Sequence, residues 1–260
     1  MQQTTIVTLA QRLYDAAAER HTIAPLTEEH PGLTEADAYR IQDALVALHV
    51  AAGATLVGVK LGLTSRAKQR EMGIDVPIVG ALLDTLSIDP GVPFRVADLG
   101  QARAEPEIAF LMARDLEGPG VTAAHVLAAT EGVMPALEIL DSRYRDYRFT
   151  LPDVVADQTS AGRFILGGQL TSPVGFDLRL TGCALSRNGE VTATAAGGAV
   201  SGHPAGAVAW LVRWLAARGR GLRAGDLVLS GGMTAVVPLT AGDVVSASFD
   251  RLGAVTLACR

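Results

Sequence analysis

The stretch AEPEIAF, residues 104–110, places two carboxylates inside an otherwise apolar run. Side chains of a strand alternate between the two faces of a sheet, so Glu105 and Glu107 point to one side. Ile108 and Phe110 point to the other side. The stretch therefore predicts a strand with one acidic and one apolar face. A solvated strand face is the simplest explanation for such a pair.

A third carboxylate raises a second possibility. The run VMPALEIL, residues 133–140, predicts another strand, in which Glu138 lies between two aliphatic side chains and an uncompensated charge would be costly. Three carboxylates converging from two strands repel one another unless a cation lies among them, and an oxygen-only set suits Mg²⁺, Mn²⁺ or Ca²⁺ better than Zn²⁺. The spacing alone leaves both a metal site and a solvated face open.

Lys60 is a second unusual residue. The run ATLVGVKLGL, residues 54–63, alternates as a strand, with Lys60 on the face that also carries Gly58 and Gly62. The glycines leave room for a ligand to approach the backbone, and a lysine beside a metal can act as a general base. A lysine that points outward to water is the alternative.

The composition favours a globular protein that binds a small molecule. The chain has 260 residues, 49% of them hydrophobic, and a net charge of −5, which argues against nucleic acid or an anionic membrane as a partner. Cys183 and Cys259 form neither a disulfide framework nor a CxxC site, which favours a reducing compartment. No apolar run approaches the roughly 18 residues of a membrane span. We expect a cytoplasmic protein.

Helical periodicity is confined mainly to the beginning of the chain. Apolar residues recur at helical spacing in residues 4–20 and 34–52, and Thr34 with Asp37 resembles a capping box before the second helix. These patterns predict a small helical N-terminal domain.

Beyond about residue 80, short strands alternate with turn signals, among them Asn188-Gly189 as a hairpin turn. One further helix is predicted over residues 205–219. The fold class is therefore α+β, with an α-rich N-terminal domain at 1–80 and a β-rich, metal-binding catalytic domain at 81–260.

Several stretches together resemble the group of 2-keto-4-pentenoate hydratases and 4-oxalocrotonate decarboxylases within the fumarylacetoacetate hydrolase superfamily. They follow one another in order over nearly the whole chain: GVKLGLTSRAKQREMGIDVPIVGALLD, AEPEIAFLM, VMPALEILDSRYRDYRF, VVADQTSAGRFILGG, GGAVSGHPAGAVAWL and LSGGMTAVVPL. The resemblance implies a small N-terminal domain and a C-terminal β-roll of mixed strands. It also implies Mg²⁺ or Mn²⁺ held by Glu105, Glu107 and Glu138, with Lys60 as the acid/base residue and Ser160 lining the substrate site.

Ile78 separates the two branches of this group. The hydratases that the chain resembles have an acidic residue directly after the proline of Asp-x-Pro, whereas DVPIVG places Ile78 there. The resemblance thus favours the decarboxylase, which converts 2-oxo-3-hexenedioate into 2-hydroxypenta-2,4-dienoate in the meta-cleavage catabolism of aromatic compounds. It also implies a homo-oligomer and a complex with a homologous hydratase. No organic cofactor is needed.

Other interpretations stay open. His203, before Pro204, is either a helix cap or a substrate contact at the pocket rim. The chain could be a 2-hydroxypenta-2,4-dienoate hydratase. It could also be an acylpyruvate-type hydrolase, for which the stretch with His21 and His30 could supply a His–Glu pair. Finally, it could be a non-catalytic scaffold that binds a structural ion.

Overall fold

The helical N-terminal region is confirmed by the structure, a computed structural model that describes residues 1–260 except for the side chain of Glu71. It contains α1 (Gln3–Glu19), α2 (Leu26–Glu29) and α3 (Glu35–Ala51). The hydroxyl of Thr34 accepts a hydrogen bond from the backbone N–H of Asp37 and so caps α3 as predicted. Helix α1 buries one apolar face against α3 and the rest of the core.

The remaining elements are mostly strands. They are β1 (Leu56–Gly62), α4 (Arg66–Met72), β2 (Ile78–Leu83), β3 (Arg103–Met112), α5 (Ala123–Ala129), β4 (Thr130–Leu140), α6 (Leu151–Ala156), β5 (Ala161–Leu166), β6 (Gly182–Arg187), β7 (Glu190–Ala196), α7 (Pro204–Ala216), β8 (Leu227–Leu229), β9 (Val237–Pro238), β10 (Val244–Phe249) and β11 (Gly253–Ala258). Together with the N-terminal helices they make the predicted α+β fold.

Two sheets form the body of the protein. The larger has seven strands in the order β2-β1-β8-β3-β4-β5, with β9 pairing on β3. Strands β1 and β8 are parallel, and the other pairs of this sheet are antiparallel, so the sheet is mixed. The smaller sheet has the order β11-β10-β6-β7. Its β6–β7 hairpin turns at Asn188 and Gly189, whose φ angles of 55° and 85° confirm the predicted tight turn.

Two short helices interrupt the β-rich body in addition to the predicted one. Helices α5 and α6 have 7 and 6 residues, and Thr122 and Thr150 cap them through capping boxes. A helix of fewer than two turns shows too few apolar repeats for its period to be recognised, which explains why the sequence did not reveal them.

The main sheet begins before the predicted domain boundary. Strand β1 lies inside the sheet, between β2 and β8, and the proposed division between residues 80 and 81 falls within β2. Lys60 is therefore carried by the same sheet as the acidic residues of β3 and β4. The two-domain division stays a prediction. Among the helices of the described residues, none combines the length and apolar character that crossing a membrane requires.

Candidate active site

Three glutamates from neighbouring strands meet in the interior of the protein. Glu105 and Glu138 are direct cross-strand partners in the antiparallel pair of β3 and β4, and Glu107 follows on the same face of β3. One carboxylate oxygen from each lies within 4.8 Å of the others. The three residues are 4%, 0% and 1% exposed, so the acidic face of β3 does not face solvent.

The oxygens of this triad are poorly supplied with donors. Glu107 Oε2 accepts a hydrogen bond of 2.7 Å from the backbone N–H of Gly231. Glu107 Oε1 and Glu138 Oε2 have no hydrogen-bond partner within the described part of the chain, and the polar contact of Glu138 Oε1 is the ammonium of Lys60. Buried acceptors without donors are costly, and a cation among them removes that cost.

Burial and mutual repulsion shift the titration of the triad. Burial raises the pKa of Glu107 well above its usual value, and the neighbouring carboxylates of Glu138 and Glu105 raise it further. Burial also raises the pKa of Glu138, although Lys60 acts in the opposite direction. A buried set of oxygen ligands that resists carrying its own negative charge fits a hard divalent cation.

Lys60 reaches the triad from β1. Its side chain is buried, and its Nζ lies 2.7 Å from Glu138 Oε1 and donates a 3.0 Å hydrogen bond to the carbonyl oxygen of Thr159. Since β8 and β3 lie between β1 and β4 in the sheet, this contact requires the sheet to curl around the site. Lys60 therefore does not point outward to water.

The glycines that flank Lys60 pack against protein, and the structure thus gives them another reason than the predicted approach of a ligand. A side chain at Gly58 would overlap the backbone of Leu227 on β8, and one at Gly62 would meet Ile78 Cγ1 at 2.9 Å. Gly58 therefore allows the close parallel pairing of β1 and β8.

Ile78 lies beside Lys60 on the same face of the sheet. Gly62 pairs with Ile78 and Lys60 pairs with Gly80, and residues two apart on a strand share a face. Ile78 is 3% exposed and belongs to the main apolar core. It presents a dry surface next to the lysine.

The family model for the fumarylacetoacetate (FAA) hydrolase C-terminal region matches residues 57–258, which include all three glutamates and Lys60. The chain belongs to the fumarylacetoacetate hydrolase family. The resemblance seen in the sequence is thereby confirmed.

The relatives of this chain are named either as hydratases or as decarboxylases. The 2-hydroxyhexa-2,4-dienoate hydratase of Comamonas testosteroni is 42% identical over 254 residues, covering 97% of this chain and 96% of the relative. The 4-oxalocrotonate decarboxylase of a Pseudomonas strain is 41% identical over 251 residues, covering 96% and 95%. Sequence identity thus places the chain in this enzyme group and does not separate the two activities.

Solved structures give the same family and a nearly identical fold. The 4-oxalocrotonate decarboxylase of Pseudomonas putida, complexed with magnesium and adipate, superposes with a TM-score of 0.97 at 38% identity, covering 100% of this chain and 99% of that one. A fumarylpyruvate hydrolase of Pseudomonas aeruginosa, in complex with Mn²⁺ and pyruvate, has a TM-score of 0.61 at 19% identity and covers 77% of this chain and 88% of its own. The second comparison shows the fold alone.

Ser160 lies in a turn next to Lys60. The residue of this turn that contacts Lys60 is Thr159 and not Ser160. Gln158, Thr159 and Ser160 have φ angles of 50°, 53° and 56°, a left-handed conformation that is uncommon for such side chains. The buried ion pair of Arg143 and Asp157 anchors the turn, and the Thr159 carbonyl accepts from Lys60. The Ser160 hydroxyl lies 3.4 Å from Asp157 Oδ2. Its substrate contact stays a prediction.

His203 lies at the start of α7, where its Nδ1 accepts a 3.0 Å hydrogen bond from the backbone N–H of Ala205. Burial lowers its pKa, while the Asp177 carboxylate opposes this shift. The contact that the structure shows is the capping alternative, and a role in substrate binding stays a prediction.

Lys68 is a site residue that the sequence did not single out. It projects from α4, and its ammonium contacts Glu105 Oε2. Burial lowers the pKa of Lys68, but Glu105, with Glu107 and Glu138, outweighs that effect and raises it overall. In the sequence Lys68 stands between Arg66 and Arg70, and nothing in the pattern distinguishes it from those exposed cations.

His21, from the stretch predicted to supply the His–Glu pair of a hydrolase, lies at the surface and pairs with Glu19, which precedes that stretch. His21 Nδ1 is 3.3 Å from Glu19 Oε2, and the two side chains are 49% and 71% exposed. An exposed pair of this kind does not resemble a positioned base beside the buried glutamates.

Proposed function

We propose that this chain decarboxylates 2-oxo-3-hexenedioate to 2-hydroxypenta-2,4-dienoate with Mg²⁺ as its metal. The observation that carries the proposal is the buried group of Glu105, Glu107 and Glu138 beside Lys60, with the apolar side chain of Ile78 on the lysine's own face. Such a group offers a metal site, a proton carrier and an apolar neighbour within one curled sheet.

The glutamates would hold the metal. Their oxygens form an all-carboxylate set, which suits Mg²⁺ and Mn²⁺, and three protein ligands leave positions open for water or substrate. When bound, such an ion supplies Lewis acidity to the 2-oxo group of the substrate.

Lys60 would act as the acid that protonates the product. Loss of CO₂ breaks the bond between C5 and the distal carboxylate, and the electron pair moves through the conjugated carbons to the 2-oxygen. The product then needs one proton on that oxygen. Lys60 is held by Glu138 and the Thr159 carbonyl and would deliver this proton.

Ile78 would keep water from the reacting carbons. A hydratase must place water against the diene and needs a polar side chain to do so, whereas a decarboxylase benefits from a desolvated carboxylate. The apolar, buried Ile78 supports the second reaction.

Hydration of 2-hydroxypenta-2,4-dienoate is the second candidate function. The observation that favours it is the 42% identity to a dienoate hydratase over nearly the full chain. The acylpyruvate hydrolase alternative has less support, because His21 pairs with Glu19 at the surface and both side chains are exposed.

Two assays run side by side in Mg²⁺ test the choice. The purified protein is given 2-oxo-3-hexenedioate or 2-hydroxypenta-2,4-dienoate, and absorbance and CO₂ release are followed. We expect CO₂ and the dienoate from the first substrate and little turnover of the second. Conversion of the dienoate to 4-hydroxy-2-oxopentanoate at the higher rate would instead identify a hydratase.

Assembly forms part of the same proposal. We expect a homo-oligomer, and a hydratase that accepts the unstable dienoate is the expected physical partner, as the resemblance implies. Light scattering of the purified chain, with and without such a hydratase, tests both expectations.

A further inference from the structure

Lys68 lies at the edge of the glutamate site, between the buried carboxylates and solvent. Its ammonium contacts Glu105, whose side chain is 6% exposed, while its own side chain is 22% exposed. Lys60, in contrast, is 1% exposed and already engages Glu138 and the Thr159 carbonyl. Lys68 is therefore the lysine of the site that reaches both the triad and solvent.

The loop after β8 makes room for this ammonium. A Cβ at Gly232 would overlap Glu105 Oε2 and would lie 2.6 Å from Lys68 Nζ. Gly231, its neighbour, donates its N–H to Glu107. The loop thus shapes a small polar space in which Glu105 and Lys68 meet.

A divalent ion on the triad would change the partner of Lys68. Glu105 would then direct its charge to the ion, and the ion and the ammonium would repel each other. Lys68 has a flexible side chain on the short helix α4, and the side chain could move away from Glu105 while it stays at the edge of the site. In that position its ammonium would be free to pair with an anionic group of the substrate.

We infer that Lys68 is a specificity-determining residue that binds the second, distal carboxylate of the substrate. This inference rests on the proposed function, since it presumes a substrate with two carboxylates. The metal held by the glutamates would take the first carboxylate and the 2-oxo group, and the second carboxylate would need a cation to replace its hydration. Lys68 thereby selects a dicarboxylate over a monocarboxylate of equal length.

The contact acts on binding rather than on the chemical step. A carboxylate carries its full charge in the bound substrate and loses that charge as CO₂ departs, so the ammonium stabilises the ground state more than the transition state. Loss of Lys68 should therefore raise KM and leave kcat unchanged or higher.

The test uses two inert ligands with six carbons, 2-oxoadipate and 2-oxohexanoate, which differ in the distal carboxylate alone. Calorimetry in saturating Mg²⁺ should show that the wild-type chain binds 2-oxoadipate at least about 10-fold more tightly than 2-oxohexanoate, as expected for a charge-assisted contact. Lys68→Met should lose this preference and bind 2-oxohexanoate as the wild type does, while Lys68→Arg should keep it.

Arg70→Met is the matched control, because it removes the same charge from an exposed position of the same helix. It should retain the preference. If Lys68→Met folds poorly by circular dichroism, Lys68→Gln replaces it.

The outcomes separate the two ideas. A wild-type chain without preference for 2-oxoadipate contradicts the dicarboxylate substrate itself and with it the proposed function. A preference that survives in Lys68→Met and Lys68→Gln overturns the role of Lys68 and leaves the proposed function standing.

Discussion

Lys60 and Glu138 form a buried ion pair, with Nζ 2.7 Å from Oε1 and both side chains 2% exposed or less. Each charge compensates the other in a region that water does not reach. Removing one partner from a buried pair typically costs about 3–5 kcal/mol, because the remaining charge is left uncompensated. The pair therefore links the proposed proton carrier to the proposed metal site.

Glu138→Gln should abolish activity and weaken Mg²⁺ binding. The loss of affinity should exceed the roughly 10–100-fold that is typical when a residue that only supports a metal ligand is replaced. The reason is the loss of one of three anionic ligands from a buried site. Calorimetric Mg²⁺ titration measures this, with Glu131→Gln on the exposed start of β4 as control. Full activity of Glu138→Gln, or of the wild type after exhaustive chelation, would contradict the triad.

Lys60→Met should retain Mg²⁺ binding and lose about 10²–10⁴-fold in turnover, the usual contribution of a positioned acid/base group. Without its lysine, Glu138 keeps an uncompensated charge until metal binds, so Mg²⁺ should raise the melting temperature more than in the wild type. Calorimetry and thermal melts check both. If the variant loses metal binding, Lys60 is an architectural residue.

Ile78→Asp should slow decarboxylation, because a carboxylate on the face of Lys60 attracts water and repels the substrate's own carboxylate. CO₂ release under saturating Mg²⁺ measures the effect, and Ile78→Val, which keeps the wall apolar, should stay near the wild-type rate. An unchanged rate in folded Ile78→Asp would show that this position does not face the reaction.

Gly232→Ala should weaken Mg²⁺ binding about 10–100-fold, as is typical when the surroundings of a ligand are disturbed. The added methyl group would collide with the Glu105 carboxylate. Gly168→Ala adds the same group where nothing lies within 4 Å and should bind metal normally. Equal affinities of the two variants would mean that the loop can move aside.

Asp243, directly before β10 of the second sheet, should make the stability of the fold depend on pH. Hydrogen bonds from Arg187, opposed in part by burial, lower the pKa of Asp243 from 3.8 to about 2. Asp243 therefore stabilises the fold above about pH 4, and this contribution disappears as the pH falls toward 2. Asp243→Asn should be less stable than the wild type at pH 7, with a smaller difference at pH 3.

Urea unfolding at the two pH values measures this difference. Asp250→Asn is the control, because its pair with Arg251 is long, at 3.6 Å, and more than 60% exposed on both sides, so little effect is expected. If the stability difference between Asp243→Asn and the wild type does not shrink at pH 3, the loss does not come from the charge of Asp243.

Local patterns predicted the elements whose signals lie within a few residues. The helix cap of Thr34, the turn at Asn188-Gly189 and the strand character of β1, β3 and β4 all follow from short-range geometry. The shared face of Glu105 and Glu107 follows from the two-residue period of a strand. The short helices α5 and α6 carry capping residues at Thr122 and Thr150, but they are too brief for a helical period to appear.

Short-range sequence patterns were enough to predict the main strands and the acidic face of β3, and the resemblance to a known family pointed to Lys60 and the three glutamates. The pairing of Glu138 directly opposite Glu105, and the contact of Lys60 with Glu138 across two intervening strands, arise from long-range packing. One of those strands, β8, comes from far along the chain, and the contact of Lys68 on α4 with Glu105 on β3 joins residues that are 37 positions apart. Long-range pairing and sheet curl arise from the packing of the whole core, which no local period records.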